Sequence, residues 1–262
     1  MRVSRVKPVN ISRGAPMIRT EKLSKEFNGF RAVSDVDLEV AEGSMHALVG
    51  PNGAGKTTMF NMLTGFHRAT SGAVFIGGED VTAHQPEQIA RLGVARSFQV
   101  TKLFDELSLR EHVELALQGR EGGGFRFWRS DRHLGRYADR THELLSEVGL
   151  AHLADQSAGA LPYGRKRALE LALALALSPS VLLLDEPTAG MGIEDVARTI
   201  DLIARIKEGR TVVMVEHNMK VVGSLADRVS VLQFGQILVE GAYEEVRKDP
   251  RVITAYLGES VA

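Results

Sequence analysis

The stretch Leu48-Val-Gly-Pro-Asn-Gly-Ala-Gly-Lys-Thr-Thr58 decides the reading of this chain, because Gly50 to Thr57 fit G-x-x-x-x-G-K-[ST] without a mismatch. The glycines at 50, 53 and 55 let an apolar strand, Met45 to Val49, turn at once into a helix-forming run, Thr58 to Thr64. Backbone N–H groups and the positive helix end then converge on one point. Such a loop cradles the phosphates of a nucleoside triphosphate, and the expected binding set is Gly50, Pro51, Asn52, Gly53, Ala54, Gly55, Lys56, Thr57 and Thr58. Lys56 is the point charge for the β- and γ-phosphates, and the Thr57 hydroxyl suits Mg²⁺. A chance glycine-rich turn before a helix is the competing reading. The length of the motif and its strand-loop-helix context weigh against it.

Composition narrows the class. With 262 residues the chain holds one large α/β domain or two small ones. Lys and Arg total 32 against 33 Asp and Glu, a formal net charge of -1, so no basic field draws nucleic acid and no such partner is expected. The absence of cysteine excludes disulfides, cysteine nucleophiles and thiolate metal sites, and fits a reducing cytosol. The longest apolar run, Ala168 to Leu177, falls short of the ~18 residues of a membrane span and carries Glu170, so membrane association is expected only through partners. Residues 1–16 hold Arg2, Arg5, Lys7 and Arg13 with neither an acid nor the apolar core of a secretory signal. They read as a disordered basic tail or an overlong start, with Met17 as an alternative beginning and 17–262 as the domain.

Upstream of the loop, Met17 to Val40 alternates apolar and polar residues and predicts antiparallel strands, with Phe27 between them. An aromatic there could stack on adenine, but on the residue alone a turn or core role is the better reading. Downstream, Ala73 to Ile76 and Val94 to Phe98 predict short strands, the second ending at Gln99, which in isolation reads as a solvated strand end. Ser108-Leu-Arg-Glu111 fits a capping box for a helix to about Gln118. The segment 119–136, with Gly122-Gly-Gly124, Phe125, Phe127, Trp128 and five arginines, is either an interaction surface or a mobile insertion. A helix over Tyr137 to Val148 is expected to stop at Gly149.

Leucines at 169, 171, 173, 175 and 177 imitate the period of a strand. The residues between them are alanines and Glu170, none is β-branched, and Ser178-Pro179 follows, so the stretch is predicted to be a buried helix starting near Gly164. Val181 to Leu184 is a fully apolar strand that delivers Asp185 and Glu186, a carboxylate suited to a Mg²⁺ shell and a candidate general base. Thr211 to Val215 delivers Glu216 and His217, and the histidine should face the same γ-phosphate. Val229 to Leu232 and Ile237 to Glu240 predict a hairpin around Phe234-Gly235, and two short helices close the chain.

In this order, the motifs resemble those of the ATP-binding cassette ATPases over nearly the whole chain from Met17. GPNGAGKTT is similar to the Walker A loop, Gln99 to the Q-loop glutamine, LPYGR at Leu161 to Arg165 to the signature, LLLDEP to Walker B, and His217 in VEHNM to the switch histidine. The resemblance implies that Phe27 is the adenine-stacking aromatic after all. It implies an α/β P-loop NTPase fold, a RecA-like core with an antiparallel β-subdomain and a helical subdomain inserted at roughly 101–177. It also implies ATP and Mg²⁺ as cofactors, with Glu186, His217 and Gln99 catalytic, Thr57, Gln99 and Asp185 on the metal, and Leu161, Tyr163 and Gly164 facing nucleotide from the signature.

The finer resemblance, in ARSFQVTKLFDELSLREHV, LPYGRKRALELA, DEPTAGM, VEHNM and VITAYLGE, is to ATP-binding subunits of branched-chain or hydrophobic amino-acid importers, with urea and amide importers as close relatives. It implies a second cassette, of a different chain or a second copy, two transmembrane permeases, a periplasmic binding protein, and a place on the cytoplasmic face of the inner membrane. Two places depart from the family pattern. Pro162 and Tyr163 stand where LSGGQ has serine and glycine, removing a hydroxyl and a backbone N–H that would face a partner's γ-phosphate, and Ala189-Gly-Met-Gly192 stands where SALD is usual, losing its aspartate. A soluble cassette of translation or DNA repair is disfavoured by the single phosphate loop and the absence of a heptad repeat. A regulator without turnover is disfavoured by Glu186 together with His217.

Overall fold

The computed structural model describes residues 16–97, 103–120 and 137–257. Gln99, the loop 121–136 and all but Pro16 of the basic tail lie outside the described residues.

Two sheets organise the chain. In the first, β1 (Ile18–Phe27) and β2 (Phe30–Val40) pair antiparallel, and β4 (Ser71–Ile76) with β5 (Glu79–Asp80) extends them in the order β2-β1-β4-β5. The second has six strands in the order β10-β9-β3-β8-β7-β6, where β3 is Met45–Val49, β6 Val94–Ser97, β7 Val181–Asp185, β8 Thr211–Val215, β9 Arg228–Gln233 and β10 Gln236–Gly241. All its pairings are parallel but the last hairpin. Strands β3, β7 and β8 are buried at every position, which is why they read as largely apolar runs.

Alternate residues of those strands feed two cores, as a pleat requires. Leu182, Leu184 and Met214 join the helices α3 (Leu109–Arg120), α4 (Ala138–Glu147) and α5 (Tyr163–Ala176), through Leu109, Leu144, Leu169 and Leu175. Leu183, Val213 and Val215 face the other way, into a core shared with Phe60 and Leu63 of α1 (Lys56–Leu63), Ile89 of α2 (Pro86–Arg91) and Val33 and Leu38 of the antiparallel sheet. The parallel sheet is therefore the middle layer of an α/β P-loop NTPase fold with an antiparallel sheet on one side. No helix among the described residues is long and apolar enough to cross a membrane.

The local signals hold. The Ser108 N–H donates to Glu111 Oε2 at 2.7 Å and the Glu111 N–H to Ser108 Oγ at 3.2 Å, closing the capping box at the start of α3. Gly149 takes φ 75, and Leu150 N–H returns to the Leu145 carbonyl at 2.7 Å to end α4. Leucines at period two in α5 form a helix because alanine and leucine favour it and the sequence offers no β-branched residue to oppose it.

A polar chain crosses the edge of the parallel sheet. His46 on β3 is 1% exposed, and its Nε2 lies 2.8 Å from Ser230 Oγ on β9. That hydroxyl donates its one hydrogen to Glu240 Oε2 at 2.6 Å, so the imidazole is the donor to it. Burial lowers the His46 pKa to about 4, with Glu240 opposing and Arg228 assisting. Above pH 6.5 the ring is neutral folded and unfolded, and it contributes no slope. Between pH 6.5 and 4 the unfolded chain takes up a proton that the folded one refuses, so stability falls with pH. Urea unfolding should show a loss of about 2–3 kcal/mol between pH 7 and 4.5 from this group alone, and His46→Gln should flatten that part of the profile.

Candidate nucleotide and hydrolysis site

The loop between β3 and α1 runs close to two other backbones. Gly50 takes φ 146 and Gly55 φ 103, and a Cβ on them would lie 2.1 Å from the Leu232 carbonyl oxygen and 2.5 Å from that of Ala32. A side chain at either position would displace a strand, so the loop tolerates glycine alone there. No side chain caps α1, whose first N–H groups and positive end point into the loop. Lys56 is 7% exposed and its Nζ donates to the carbonyls of Gly50 at 2.6 Å and Pro51 at 2.8 Å, which lays the ammonium across the mouth of the loop.

Sheet register brings the other candidates to the same level. Val215 pairs with Leu48 on β3 and with Asp185 on β7, so the start of the loop, the Asp185 carboxylate and the segment leading to His217 occupy adjacent strand ends. This is the carboxyl edge where open α/β sheets bind ligands. Glu186 N–H still reaches the Val215 carbonyl at 2.9 Å, but Glu186 itself has φ 46 and turns the chain off the sheet. A glutamate in that region is strained by on the order of 1 kcal/mol or more and persists only if its neighbours hold it.

Asp185 is not left as an open ligand. Its carboxylate is almost wholly buried and pairs with Arg96 Nη2 of β6 at 2.5 Å, while Arg96 Nη1 donates to Asn61 Oδ1 of α1 at 2.7 Å. Thr57 lies one turn before Asn61 on the same face of α1, so a single guanidinium links that face to the end of β7. Hydroxyl and carboxylate oxygens are the hard donors that suit Mg²⁺, and because Arg96 holds Oδ2 of Asp185 and not Oδ1, Thr57 and Asp185 still fit the ion. Arg96 was not anticipated from sequence. An arginine in a short half-buried strand gives no pattern that names its partner.

His217 is exposed, and its backbone is what the structure fixes. Glu216, fully buried, accepts the N–H groups of His217 at 3.0 Å and Asn218 at 3.1 Å, and on its other oxygen the N–H of Thr188 at 3.2 Å and the Thr188 hydroxyl. The sequence placed Glu216 at this strand end but gave it no role.

Two further groups lie apart. Leu161 is buried and Pro162 caps α5, so Tyr163 and Gly164 fall in the first helical turn. The Tyr163 hydroxyl donates to the Ala189 carbonyl at 3.2 Å and accepts from Arg167 Nε at 3.1 Å, and Arg167 pairs with the buried Glu170 at 2.8 Å. The signature segment is thus bonded within its own chain to the loop that follows Glu186. Phe27 closes β1 with its ring edge-on to His67 at 5.3 Å and Lys25 Nζ at 4.9 Å, while β2 reaches the phosphate loop through the Ala32 carbonyl. The structure brings together the loop, Asp185, Glu186 and His217; Phe27, Leu161, Tyr163 and Gly164 are not brought into that group, Tyr163 alone reaching the segment after Glu186 through Ala189, and Gln99 lies outside the described residues.

Residues 33–189 match the family model described as ABC transporter, and residues 236–262 match that described as Branched-chain amino acid ATP-binding cassette transporter. The chain belongs to the ABC transporter family. The cassette is 38% identical to the high-affinity branched-chain amino acid transport ATP-binding protein BraF of Pseudomonas aeruginosa, over 94% of this chain and 99% of the relative. It is 36% identical to LivG of Escherichia coli over the same shares. Among solved structures, the ADP conformation of MJ1267, an ATP-binding cassette of an ABC transporter, superimposes with a TM-score of 0.83 at 28% identity, covering 93% of this chain and 99% of that one. A dimeric post-hydrolysis state of the cassette MJ0796 bound to ADP and Pi superimposes at 0.72 and 25% identity, covering 87% and 99%.

The cassette's Arg96–Asp185 pair can be tested without nucleotide. Arg96→Ala leaves a buried carboxylate without its cation, and denaturant unfolding at pH 7 should show a loss of about 3–5 kcal/mol. A loss below about 1 kcal/mol would mean that Asp185 is solvated rather than paired.

Proposed function

We propose that this cassette is the ATP-hydrolysing subunit of an importer of branched-chain amino acids. The observation that carries the hydrolytic part is the double pairing of Val215, which sets the phosphate loop, Asp185–Glu186 and His217 on neighbouring strand ends. The transported class is supported by the match of residues 236–262 and by what BraF and LivG are named for. Two membrane permeases, a periplasmic binding protein and a site on the cytoplasmic membrane face belong to the same proposal, since the described residues supply no membrane span of their own.

In this reading, ATP lays its β- and γ-phosphates into the loop, and Lys56 exchanges the Gly50 and Pro51 carbonyls for phosphate oxygens. Transfer of a phosphoryl group to water spreads charge over the equatorial oxygens, so most of the catalysis is placement and electrostatics. N–H groups of 53–58 and the Lys56 ammonium meet that charge, Glu186 orients and polarises the water, and His217 holds the γ-phosphate from the opposite strand end. Gln99 reads the same phosphate toward the helical subdomain at roughly 101–177, and Phe27 stacks the base. Thr57, Asp185 and Gln99 would hold Mg²⁺, which when bound would supply positive charge against the phosphates. The site is completed by Leu161, Tyr163 and Gly164 of a second cassette.

Glu186→Gln should keep ATP affinity within about twofold while steady-state hydrolysis falls at least tenfold, ~1.4 kcal/mol of barrier. Lys56→Ala should weaken ATP binding itself. Hydrolysis within twofold of wild type in Glu186→Gln would remove the general base from this site. For the transported class, hydrolysis by the assembled transporter should rise with leucine-loaded binding protein and not with a urea-loaded one.

A further inference from the structure

We infer that Glu216 is a positioning residue for hydrolysis, its buried carboxylate clamping the segment after Glu186 to the backbone that carries His217. The inference rests on the reading above, in which Glu186 and His217 act on one γ-phosphate, and adds a residue to which that reading gives no part.

The geometry is specific. Glu216 is 0% exposed and closes β8, with its own N–H on the Leu48 carbonyl at 3.3 Å, at the mouth of the phosphate loop. One oxygen, Oε2, takes the N–H groups of His217 and Asn218 at 3.0 and 3.1 Å. The other, Oε1, takes the N–H of Thr188 at 3.2 Å and its hydroxyl. Four donors converge on one carboxylate, and among the described residues no cation pairs with it. Its charge is balanced by dipoles that belong to two catalytic segments.

Those segments need such a tie. Glu186 sits at φ 46, anchored before the bend by its N–H to Val215 and after it by Thr188, two residues on. Releasing Thr188 would free the backbone to relax toward an ordinary φ and swing the Glu186 carboxylate away. On the other side, His217 is exposed and its side chain finds its direction from a backbone that Glu216 fixes. Ala189, the next residue, takes the Tyr163 hydroxyl, so the clamped segment is also where α5 is attached. A neutral amide cannot replace the carboxylate, because its NH₂ would face one of the two pairs of donors. Serine can replace Thr188, and valine keeps its shape without the hydroxyl.

The test uses the full-length cassette assembled with its permeases and five variants: Thr188→Val, Thr188→Ser, Glu216→Gln, the double Glu216→Gln/Thr188→Val, and Glu186→Gln. Thr188→Val should lower kcat about tenfold and leave ATP affinity within twofold, since the bond it removes touches no part of the nucleotide. Thr188→Ser should return kcat to within about twofold of wild type. Glu216→Gln should lose at least as much as Thr188→Val, and adding Thr188→Val to it should cost little more, as expected of two ends of one contact. If Glu216→Gln does not fold, the Thr188 pair decides alone. A Thr188→Val enzyme with kcat within twofold of wild type overturns the inference, as does a loss shared equally by kcat and ATP affinity, or one as large in Thr188→Ser. An inactive Glu186→Gln alongside such a result leaves the hydrolytic reading standing. An active Glu186→Gln withdraws that reading first.

Discussion

Val215 hydrogen-bonds to a strand on each side, and those two ladders fix the distances on which the chemistry depends. Pairing with Leu48 sets where the phosphate loop begins, and pairing with Asp185 sets where the acidic strand ends. Because side chains alternate strictly along a strand, a slip of one residue in either ladder would exchange the side chains that β7 or β8 sends to the two cores and misfit both at once. The same packing that stabilises the sheet therefore holds the site in register. The glycines of the loop are a consequence: with β9 and β2 drawn this close, the Leu232 and Ala32 carbonyls leave no room for a side chain at 50 or 55.

Polar groups buried along this edge are costly, and three of them have specific partners. Asp185 has Arg96, Glu216 has four donors, and His46 has a serine and stays neutral. Replacing a buried ion pair with apolar residues is often neutral or stabilising, so these groups are weak explanations for stability. What they supply is placement. Arg96 connects the helix after the phosphate loop to the strand that carries Asp185, and Glu216 connects the two segments that carry Glu186 and His217.

The signature segment departs from the family pattern at Pro162 and Tyr163, and the structure gives both residues local work. Pro162 has no N–H to lose at a helix start and presets the entry into α5. Tyr163 turns its hydroxyl toward Ala189, which stands in the loop where the family's SALD is replaced by Ala189-Gly-Met-Gly192. The two departures touch one another. Gly190, at φ 74, lies beside the tyrosine ring, and it is this left-handed backbone rather than lack of space that favours glycine there.

Much of this protein is written in short-range pattern. The phosphate loop, the apolar strands ahead of Asp185 and Glu216, the capping box at Ser108 and the glycine after α4 are each set by a few adjacent residues, so sequence alone determined the fold class and the family. Contacts between residues far apart in the chain carry no such pattern. Arg96 meets Asp185 across 89 positions, Glu216 meets Thr188 across 28, and Tyr163 meets Ala189 across 26. Nothing near Arg96 or Glu216 tells which partner it takes, because the choice is made by strand order and register. Only the tertiary structure could decide that Asp185 is paired, that Glu186 is bent off the sheet, and that one buried carboxylate ties it to His217.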